Sequence, residues 1–418
     1  MDKRSTEVLI VGAGMTGLAL GLALADEGVS VELLEPQELG LDPLEDQISD
    51  LLTRTPEARV SALTLASEQL LRNLGVWGTL SESRAEAYTD MHVWDGETRG
   101  EIHFSADDLH EPYLGQIVEN RLIVLALLQR AVEHPDIRLT FGVTLKSIEF
   151  ADDEQRCLLS DDSTRECQLV VGADGAHSSA RRLGALGTHE WDYGHHAIVA
   201  TLRIEGSHQH CCWQRFTEDG PLALLPLESE SNDLVSLVWS TSPENAERLY
   251  GLADDELATA ITRASDMKVG KVIEVASRTR VPLRQRHAQR YVRAGLALVG
   301  DAAHTIHPLA GQGVNLGFQD VAALVEVLCD ARERREFMGS ERVLRRYQRR
   351  QMPVNLRMSA LMQGFKTLFT PQPPIVELAR SIGMRAIDRC GPVKQHLMQD
   401  AMGLRSDLPK LLRRPLKI

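Results

Sequence analysis

The hydrophobic pattern at the start of the chain predicts a strand, a turn, a helix and a second strand. Residues 7–11 (EVLIV) form an apolar run typical of a strand buried in a parallel sheet. Residues 15–27 have helical composition, and residues 29–35 (VSVELLE) predict the second strand. The polar, acidic segment 37–57 predicts a long loop. The chain therefore begins in the order of an α/β domain.

Two helices and two further strand–turn segments follow from the same kind of pattern. One helix is predicted to open at about Ser61 and to end near Gly75, and a second, in ENRLIVLALLQRAVEHP, to stop at Pro135. The segments CQLVVGADG and LALVGDAAH each predict a buried strand that runs into a tight turn containing glycine. Both segments thus resemble the first strand and its turn.

The pattern changes between His195 and Leu283, where short alternating runs such as HHAIVATLRIEG and DLVSLVWS indicate a mostly antiparallel sheet. Beyond Gly317 the pattern is helical, with interruptions predicted at Pro353, at TPQPP and at Pro392. The basic residues among leucines in the tail LPKLLRRPLKI would suit an anionic membrane surface or an acidic partner, but a solvated, frayed terminus is expected.

The chain of 418 residues is too long for one simple core, so more than one domain is expected. The predicted division is a discontinuous nucleotide-binding domain at 1–75, 116–185 and 286–340, a β-rich substrate domain at 76–115 and 186–285, and a helical C-terminal region at 341–418.

Charge and cysteine usage narrow the class of protein. A formal net charge of −13 argues against a nucleic-acid binder. The six cysteines include no C-x-x-C pair, which fits reduced thiols in the cytoplasm. No signal peptide is expected, and the sequence contains no run of about 20 apolar residues. In HQHCCW (residues 208–213) the side chains are too crowded for the usual ligand spacings, so no metal site is predicted.

The first motif that carries chemistry is Gly12-Ala13-Gly14-Met15-Thr16-Gly17, which follows a strand and opens a helix. In a dinucleotide fingerprint, Gly12 would make the turn, Gly14 would let a pyrophosphate approach, and Gly17 would pack the helix on the strand. Glu35, at the end of the second strand, would accept hydrogen bonds from ribose hydroxyls. The fingerprint alone does not separate NAD from FAD.

Two further carboxylates at strand ends favour FAD. Asp174 and Gly175 follow one predicted strand, and Gly300 and Asp301 follow another. A carboxylate in that position can hold a chain of hydroxyl groups, such as the ribityl linker of FAD. Taken singly, each aspartate would be read as a helix N-cap or turn residue. Together with the fingerprint they predict a bound FAD.

The order of these motifs resembles that of the class A flavoprotein monooxygenases, which include the aromatic hydroxylases, and HPLAGQGVNLGFQD (residues 307–320) resembles the signature of their UbiH/UbiF/VisC branch. Within that branch, WDYGHHAIVATLR, MQGFKTLF and AMGL are most similar to the VisC/UbiI hydroxylases. The resemblance implies an α/β fold of the aromatic-hydroxylase type: a Rossmann-like FAD-binding domain, an inserted, mostly antiparallel substrate domain and a helical C-terminal region.

The resemblance also implies particular flavin contacts. Arg59 would lie beside the isoalloxazine and ribityl region, Arg121 would reach the phosphates or linker, and Asp301 would hold the ribityl hydroxyls. Around the ring, the residues implied are Pro308, Gly311, Gln312, Gly313, Val314 and Asn315. Because the N–H groups of Val314 and Asn315 would start a helix, they would stabilise negative charge on the reduced flavin. No catalytic acid or base is assigned.

The implied reaction is hydroxylation of the ring of a polyprenylphenol in ubiquinone biosynthesis. NAD(P)H would reduce the flavin, O₂ would add at C4a to form a hydroperoxide, and the terminal oxygen would pass to the ring. The expected setting is the cytoplasm, with contacts to a quinone-biosynthesis complex and to the periphery of the inner membrane. No nucleic-acid partner is expected.

Several alternatives stay open. One is a sibling ring-hydroxylation step on a later, methoxylated precursor. Others are a prenyl reductase and a non-catalytic scaffold that retains FAD. A flavin halogenase is disfavoured because the chain contains no W-x-W-x-I stretch. The apolar residues between Met358 and Phe369, spaced at three and four, suggest that the C-terminal region meets partner proteins or a lipid carrier.

Overall fold

The computed structural model describes residues 3–38, 40, 43–98, 100–305, 313–369, 373–404 and 407–415. Within these ranges the chain forms three sheets and the helices that cover them. Numbered along the chain, the helices are α1 (Met15–Ala25), α2 (Leu44–Thr53), α3 (Leu65–Asn73), α4 (Trp77–Ser83), α5 (Asn120–Val132), α6 (Ser179–Leu183), α7 (Pro243–Tyr250), α8 (Asp254–Ala264), α9 (Gly313–Glu333), α10 (Glu341–Phe369), α11 (Pro374–Arg389) and α12 (Gly391–Met402).

The first sheet contains the strand–turn segments that the sequence predicts. With strands numbered along the chain, it consists of β1 (Lys3–Val11), β2 (Val31–Glu35), β8 (Ile137–Phe141), β9 (Leu145–Glu149), β10 (Gln155–Leu159), β11 (Thr164–Gly172), β17 (Val292–Arg293) and β18 (Leu296–Leu298). Its order is β17-β18-β11-β1-β2-β8, and β18, β11, β1, β2 and β8 run parallel to one another, whereas β17 and β10 pair antiparallel with β18 and β11. Helix α1 packs between this sheet and helices α5 and α9. Their apolar side chains form the largest core.

The second sheet is mostly antiparallel, as predicted. It contains β5 (Asp90–Asp95), β6 (Glu101–Ser105), β12 (Thr188–Ile204), β13 (Cys211–Thr217), β14 (Gly220–Leu227), β15 (Leu234–Thr241), β16 (Val272–Ala288) and β19 (His304–Thr305), in the order β19-β16-β12-β15-β14-β13-β5-β6. The exception is the β13–β5 pair, which is parallel. Helices α7 and α8 bury their apolar faces in a cluster with β12, β14, β15 and β16, and α8 lies against β16.

A third, small sheet connects the other two. It consists of β3 (Val60–Thr64), β4 (Ala85–Tyr88) and β7 (Gly115–Glu119), with β7 in the middle. Ala62 and Ile117 share a buried cluster with Leu225 of the second sheet. The Thr201 hydroxyl also donates to the Pro56 carbonyl, 2.8 Å away. The fold class and the helical C-terminal region are therefore those that the sequence predicts.

Three local predictions were wrong. The helix predicted at Ser61 begins only at Leu65, since residues 60–64 pair with β7 and the Thr64 hydroxyl then caps α3 by accepting from Ser67 N. The predicted loop at 37–57 contains helix α2, whose Ile48 and Leu51 are buried. Helix α10 continues through Pro353, where an interruption was predicted.

The C-terminal helices pack against the second sheet. Arg380 of α11 forms an ion pair with Asp95 of β5 at 2.7 Å, with both side chains 2% exposed. The ring of Phe369 stacks on Phe216 at 3.7 Å. The prediction of a frayed tail was wrong for residues 407–415. Leu412 is buried there, and the segment around it packs against α3 and α9.

Candidate flavin site

The turns after four parallel strands meet at one edge of the first sheet. The Gly12 N–H after β1 donates to Leu34 of β2 at 2.8 Å, and the Val299 N–H after β18 donates to Gly172 of β11 at 3.0 Å. The chain passes to β2 and β8 on one side of β1 and to β11 and β18 on the other. Ligands bind at such a reversal of strand order, outside the carboxyl ends of the strands.

The three fingerprint glycines have different surroundings. Gly12 has φ +105°, and a side chain there would contact the Ala173 carbonyl at 2.6 Å. A methyl group at Gly17 would overlap the carbonyl oxygen of Gly12, so this glycine permits the close packing of α1 on the turn. A methyl group at Gly14 would have no neighbour within 4 Å. The backbone there is open to an approaching group.

Glu35 lies beside this turn. One of its carboxylate oxygens accepts from the Ala13 N–H at 2.9 Å and the other from the Gln37 N–H at 3.2 Å. Each carboxylate oxygen can accept more than one hydrogen bond. Glu35 therefore shapes the turn and keeps acceptor capacity for ribose hydroxyls.

Gly300 and Asp301 form the turn after β18. Gly300 has φ +58°, and methyl groups at Gly300 or at Gly317 of α9 would lie 3.0 and 2.8 Å from the Thr16 hydroxyl of α1. The starts of α1 and α9 thus enclose this turn. The Asp301 side chain is open to solvent on one side, but the protein packed around it desolvates the carboxylate and raises its pKa. The nearby charges of His304 and Arg59 partly offset that rise.

Asp320 is a site residue that the sequence reasoning missed. It is fully buried on α9; its Oδ2 accepts from the Gly300 N–H at 2.9 Å and lies 2.6 Å from His304 Nε2. Asn355 of α10 donates to its Oδ1 at 3.0 Å. Burial alone would lower the pKa of His304, but the Asp320 carboxylate makes the net shift upward. The available signal was an acid within the apolar run GFQDVAALV.

The side chain of Asn315 joins the first turn of α9 to β3 and α3. Its Oδ1 accepts from the Thr64 N–H at 3.1 Å and from the Ser67 hydroxyl at 2.7 Å, and its Nδ2 donates to the Ala62 carbonyl at 2.8 Å. Gly313 and Val314 are half-buried in the same turn. Because the first N–H groups of a helix have no intrahelical partner, this turn is suited to an anion. Pro308, Gly311 and Gln312 lie outside the described residues.

Asp174 has the hydrogen bonds of a helix cap. Its Oδ2 accepts from the Ser179 N–H at 2.6 Å and from the Ala180 N–H at 3.1 Å, at the start of α6. Gly175 follows with φ +76°. The N-cap residue itself is Ser178, whose hydroxyl accepts from the Arg181 N–H, so Asp174 is a second acceptor for the start of α6, close to the capping role that the sequence left open. The contact of Asp174 with FAD stays a prediction.

Arg59 and Arg121 stand at the adjacent starts of β3 and α5, where the Asn120 N–H donates to the Arg59 carbonyl at 3.0 Å. The Arg121 guanidinium lies 3.4 Å from the Glu57 carboxylate, and both side chains are about half exposed. Such a pair holds weakly in water. Arg121 is therefore free to exchange Glu57 for a phosphate.

The HQHCCW segment lies away from this edge. The ligand atoms of Glu86, His208 and His210 all lie within 4.8 Å of one another, and His210 Nδ1 is 2.6 Å from the Glu86 carboxylate. The backbone N–H of His210 donates to His208 Nδ1 at 3.1 Å, so the proton of neutral His208 is on Nε2. The three side chains are thus joined by hydrogen bonds, and the absence of a metal stays a prediction.

Fold and site together define a flavoprotein of the aromatic-hydroxylase type. The chain belongs to the FAD binding domain family, which it matches over residues 5–360. It is 38% identical to the 3-demethoxyubiquinol 3-hydroxylase of Escherichia coli (strain K12) over 404 residues, covering 97% of this chain and 100% of the relative. It is 36% identical to the ubiquinone hydroxylase UbiL of Rhodospirillum rubrum, covering 97% and 92%.

The fold is also that of a solved structure, the p-nitrophenol 4-monooxygenase PnpA of Pseudomonas putida DLL-E4. The two chains align with a TM-score of 0.74 at 17% sequence identity, covering 96% of this chain and 99% of the other. The sequence-based assignment to the UbiH/UbiF/VisC branch is confirmed. The chain is a FAD-dependent aromatic-ring monooxygenase.

The described residues fit FAD. Along one sheet edge follow the acceptor capacity of Glu35 after β2, the open backbone at Gly14 after β1 and the exposed Asp301 after β18. This is the order of the adenosine ribose, the pyrophosphate and the ribityl chain in FAD. When bound and reduced, FAD supplies the electrons that activate O₂, and the protein supplies position and electrostatics.

Proposed function

We propose that this chain hydroxylates the aromatic ring of a ubiquinone precursor that carries an isoprenoid tail. The observation that carries the proposal is the full-length match, at 36–38% identity, to two ubiquinone hydroxylases. The converging turns of the first sheet support it, because they provide the cofactor site that such a reaction needs. Insertion of one oxygen atom from O₂ also requires two electrons, for which we propose NAD(P)H as the transient donor.

The proposed contacts divide the flavin among three parts of the sheet edge. The turn at Gly12, Gly14 and Gly17 binds the pyrophosphate with Arg121, while Glu35 binds the adenosine ribose. Asp301, with Gly300 and Arg59, holds the ribityl chain, and Asp174 and Gly175 border it. Around the ring, the proposed set is Pro308, Gly311, Gln312, Gly313, Val314 and Asn315. The Val314 and Asn315 N–H groups stabilise the negative charge of the reduced ring.

Two ring positions compete. The segments WDYGHHAIVATLR, MQGFKTLF and AMGL are similar to the VisC/UbiI hydroxylases and support an early polyprenylphenol as the substrate. The 38% match over the whole relative from E. coli favours the sibling step on a later, methoxylated precursor. The two candidates share the cofactor site and differ only in which precursor is bound.

Deletion of the gene from its host, followed by mass spectrometry of the accumulated quinone precursors, separates the two. We expect unhydroxylated polyprenylphenol if the early step is correct, and a methoxylated intermediate if the later step is correct. Complementation with the unaltered gene should restore the quinone, and complementation with the Asp301→Ala variant should not. An unchanged quinone pool would contradict both candidates.

A non-catalytic scaffold that retains FAD is distinguished by the same strains. If the Asp301→Ala gene restored the quinone as fully as the unaltered gene, and the purified variant contained no FAD, the chain would act without its flavin. Labelled O₂ gives the complementary result, because a hydroxylase must place one labelled oxygen in the product, whereas a prenyl reductase would place none.

A further inference from the structure

The C-terminal helices expose an apolar face that includes nine large side chains more than a third exposed. We name it the α10–α12 face. Its members are Leu356, Leu361, Leu368, Ile375, Val376, Leu378, Ile382, Val393 and Leu397. Only six other large apolar side chains among the described residues are as exposed, and they are scattered over the rest of the chain. Scattered exposed residues need no explanation, but a contiguous patch marks a binding surface.

Helix α11 has the inverse of the usual arrangement, with a charged side chain buried and its apolar stripe exposed to water. Its inner side carries Arg380, buried in the ion pair with Asp95, together with Ser381. Its outer side carries Ile375, Leu378 and Ile382, which are 82%, 62% and 59% exposed and spaced as one helical stripe. A helix on the surface of a soluble domain normally buries its apolar stripe. In α11 the charged group is inside and the apolar stripe outside.

The second half of α10 has the same arrangement. Gln351, Asn355 and Ser359 are buried, and Asn355 holds Asp320. Leu361 and Leu368, spaced by seven, are 49% and 41% exposed. An open groove of about 570 Å³ joins α10 to α11 and is lined by Ala360, Gln363, Gly364, Thr367, Leu368 and Val376. The two apolar stripes therefore belong to one surface.

The charge of this region is opposite to that of the whole chain. Residues 356–397 contain six lysines and arginines against two acids, a formal net charge of +4, whereas the whole chain has −13. Arg380 and Lys394 are paired with Asp95 and Asp108 outside this segment, so the cations offered to a ligand are among the other four. Arg389 continues the stripe of Ile382 one step of seven residues further, and Arg357 precedes Leu361 by four; both are exposed. Apolar side chains flanked by cations are the features of helices that lie in the interface of an anionic membrane.

We propose that the α10–α12 face docks on an anionic lipid bilayer, with α11 lying in the headgroup region. Among the described residues, no helix is long and apolar enough to cross a bilayer, so the contact is peripheral. The purpose of docking rests on the proposed function, because a precursor with an isoprenoid tail is dissolved in the bilayer. The docking itself does not depend on the substrate.

The test is co-sedimentation of the FAD-loaded protein with vesicles at low salt, using phosphatidylcholine alone or phosphatidylcholine mixed with phosphatidylglycerol. We expect binding to the mixed vesicles and much weaker binding to the neutral ones. Replacement of Ile375, Leu378 and Ile382 together by glutamine should weaken that binding by about tenfold or more. Their exposure means that the urea midpoint and FAD content should not change.

The matched control replaces Val132, Met267 and Ile273 by glutamine, since these are 55–57% exposed but lie elsewhere. This variant should bind vesicles like the unaltered protein. The variant Arg357→Gln/Arg389→Gln should lose binding to the mixed vesicles and leave the weak binding to neutral ones unchanged.

Three results would overturn the proposal. One is no binding of the unaltered protein to mixed vesicles. Another is equal loss in the control variant, which indicates unspecific adsorption. The third is a dimer in light scattering that the α11 variant converts to a monomer, which assigns the face to a second copy. Because the assay contains no substrate, none of these results bears on the hydroxylation proposal.

Discussion

Asp301 and Asp320 show how two aspartates close together in the fold take different roles. Asp320 is fully buried, and its two oxygens bind His304, Gly300 and Asn355. Asp301 is exposed and precedes His304 by three residues. Because a buried carboxylate has to be satisfied inside the protein, Asp320 holds the turn in place and Asp301 is left to meet the ligand.

Replacement of Asp301 by alanine should release much of the FAD. A hydrogen bond to a charged group contributes roughly 1.5–3 kcal/mol, so FAD affinity should fall about tenfold to a hundredfold. Flavin absorbance after gel filtration and titration of the apoprotein measure the change. The control is Asp153→Ala, which removes an exposed carboxylate at the turn between β9 and β10. Full retention of FAD by Asp301→Ala would contradict the ribityl assignment.

His208 should make the fold sensitive to acid. Burial, and then the charge of His210, lowers its pKa to about 4. An unfolded histidine has a pKa of about 6.5, so between those values the unfolded chain binds the extra proton. The contribution of neutral His208 to the free energy of unfolding is therefore fully present above pH 6.5 and is lost as the pH falls towards 4. The loss at pH 5 should be about 2 kcal/mol.

Urea unfolding at pH 7 and pH 5 measures this effect. The His208→Asn variant keeps an acceptor for the His210 N–H but does not titrate, so its stability should fall less between the two pH values. An equal fall in both proteins would assign the acid sensitivity to other groups.

At the scale of elements, different glycines near the start of helix α1 allow tight packing and leave room for a ligand. Gly17 permits contact between α1 and the Gly12 carbonyl, whereas Gly14 faces open space. Helix α1 is buried over most of its surface, from Gly17 to Ala25, so its position cannot adjust by a large shift. The two glycines are therefore separable by mutation.

Gly17→Ala should destabilise the apoprotein, by several degrees in Tm, because the new methyl group overlaps backbone that cannot move away. Gly14→Ala should leave the apoprotein Tm nearly unchanged, because its methyl group meets nothing within 4 Å. It should instead weaken FAD binding by occupying the space proposed for the pyrophosphate. Calorimetry of both apoproteins and FAD titration check the pair. Unweakened FAD binding by Gly14→Ala would place the phosphate elsewhere.

At the scale of the whole molecule, buried polar contacts connect regions far apart in sequence. Asn315 connects α9 to β3. Asn355 connects α10, through Asp320, to the edge of the first sheet where the flavin site lies. Arg380 connects α11 to the second sheet. The exposed face of α11 is thus held on a helix whose inner side is fixed to the second sheet.

Removal of one member of the Arg380–Asp95 pair should be costly. Arg380→Met leaves a buried carboxylate uncompensated, which costs about 3–5 kcal/mol. The double variant Arg380→Met/Asp95→Leu should recover much of that loss, because replacing both partners by apolar groups is often nearly neutral. Urea unfolding of the single and double variants measures the coupling.

The matched control for that pair is the exposed Lys146–Asp162 ion pair, whose side chains are 45% and 80% exposed. Lys146→Met should cost little, since exposed pairs contribute weakly. A loss from Arg380→Met no larger than from Lys146→Met would show that the C-terminal helices are held mainly by apolar contacts.

The sequence by itself determined the class of protein, the cofactor and the order of elements at the flavin edge. These features depend on backbone requirements encoded within a few residues. Gly12 needs a positive φ, Gly17 needs to lack a side chain, and an acid stands at or just after the ends of β2, β11 and β18. Because strand, turn and helix follow one another directly, short-range pattern is sufficient to predict them.

Only the tertiary structure decided which strand pairs form and which polar side chains bind one another inside the protein. Residues 60–64 became a strand rather than a helix because β7, some 50 residues later, pairs with them. Asp174 accepts hydrogen bonds at the start of α6, and Asp320 binds a histidine 16 residues earlier. The inversion of α11 depends on Asp95, 285 residues away from Arg380. The free energy of such contacts depends on partners that folding brings together, and these partners cannot be identified from the local sequence.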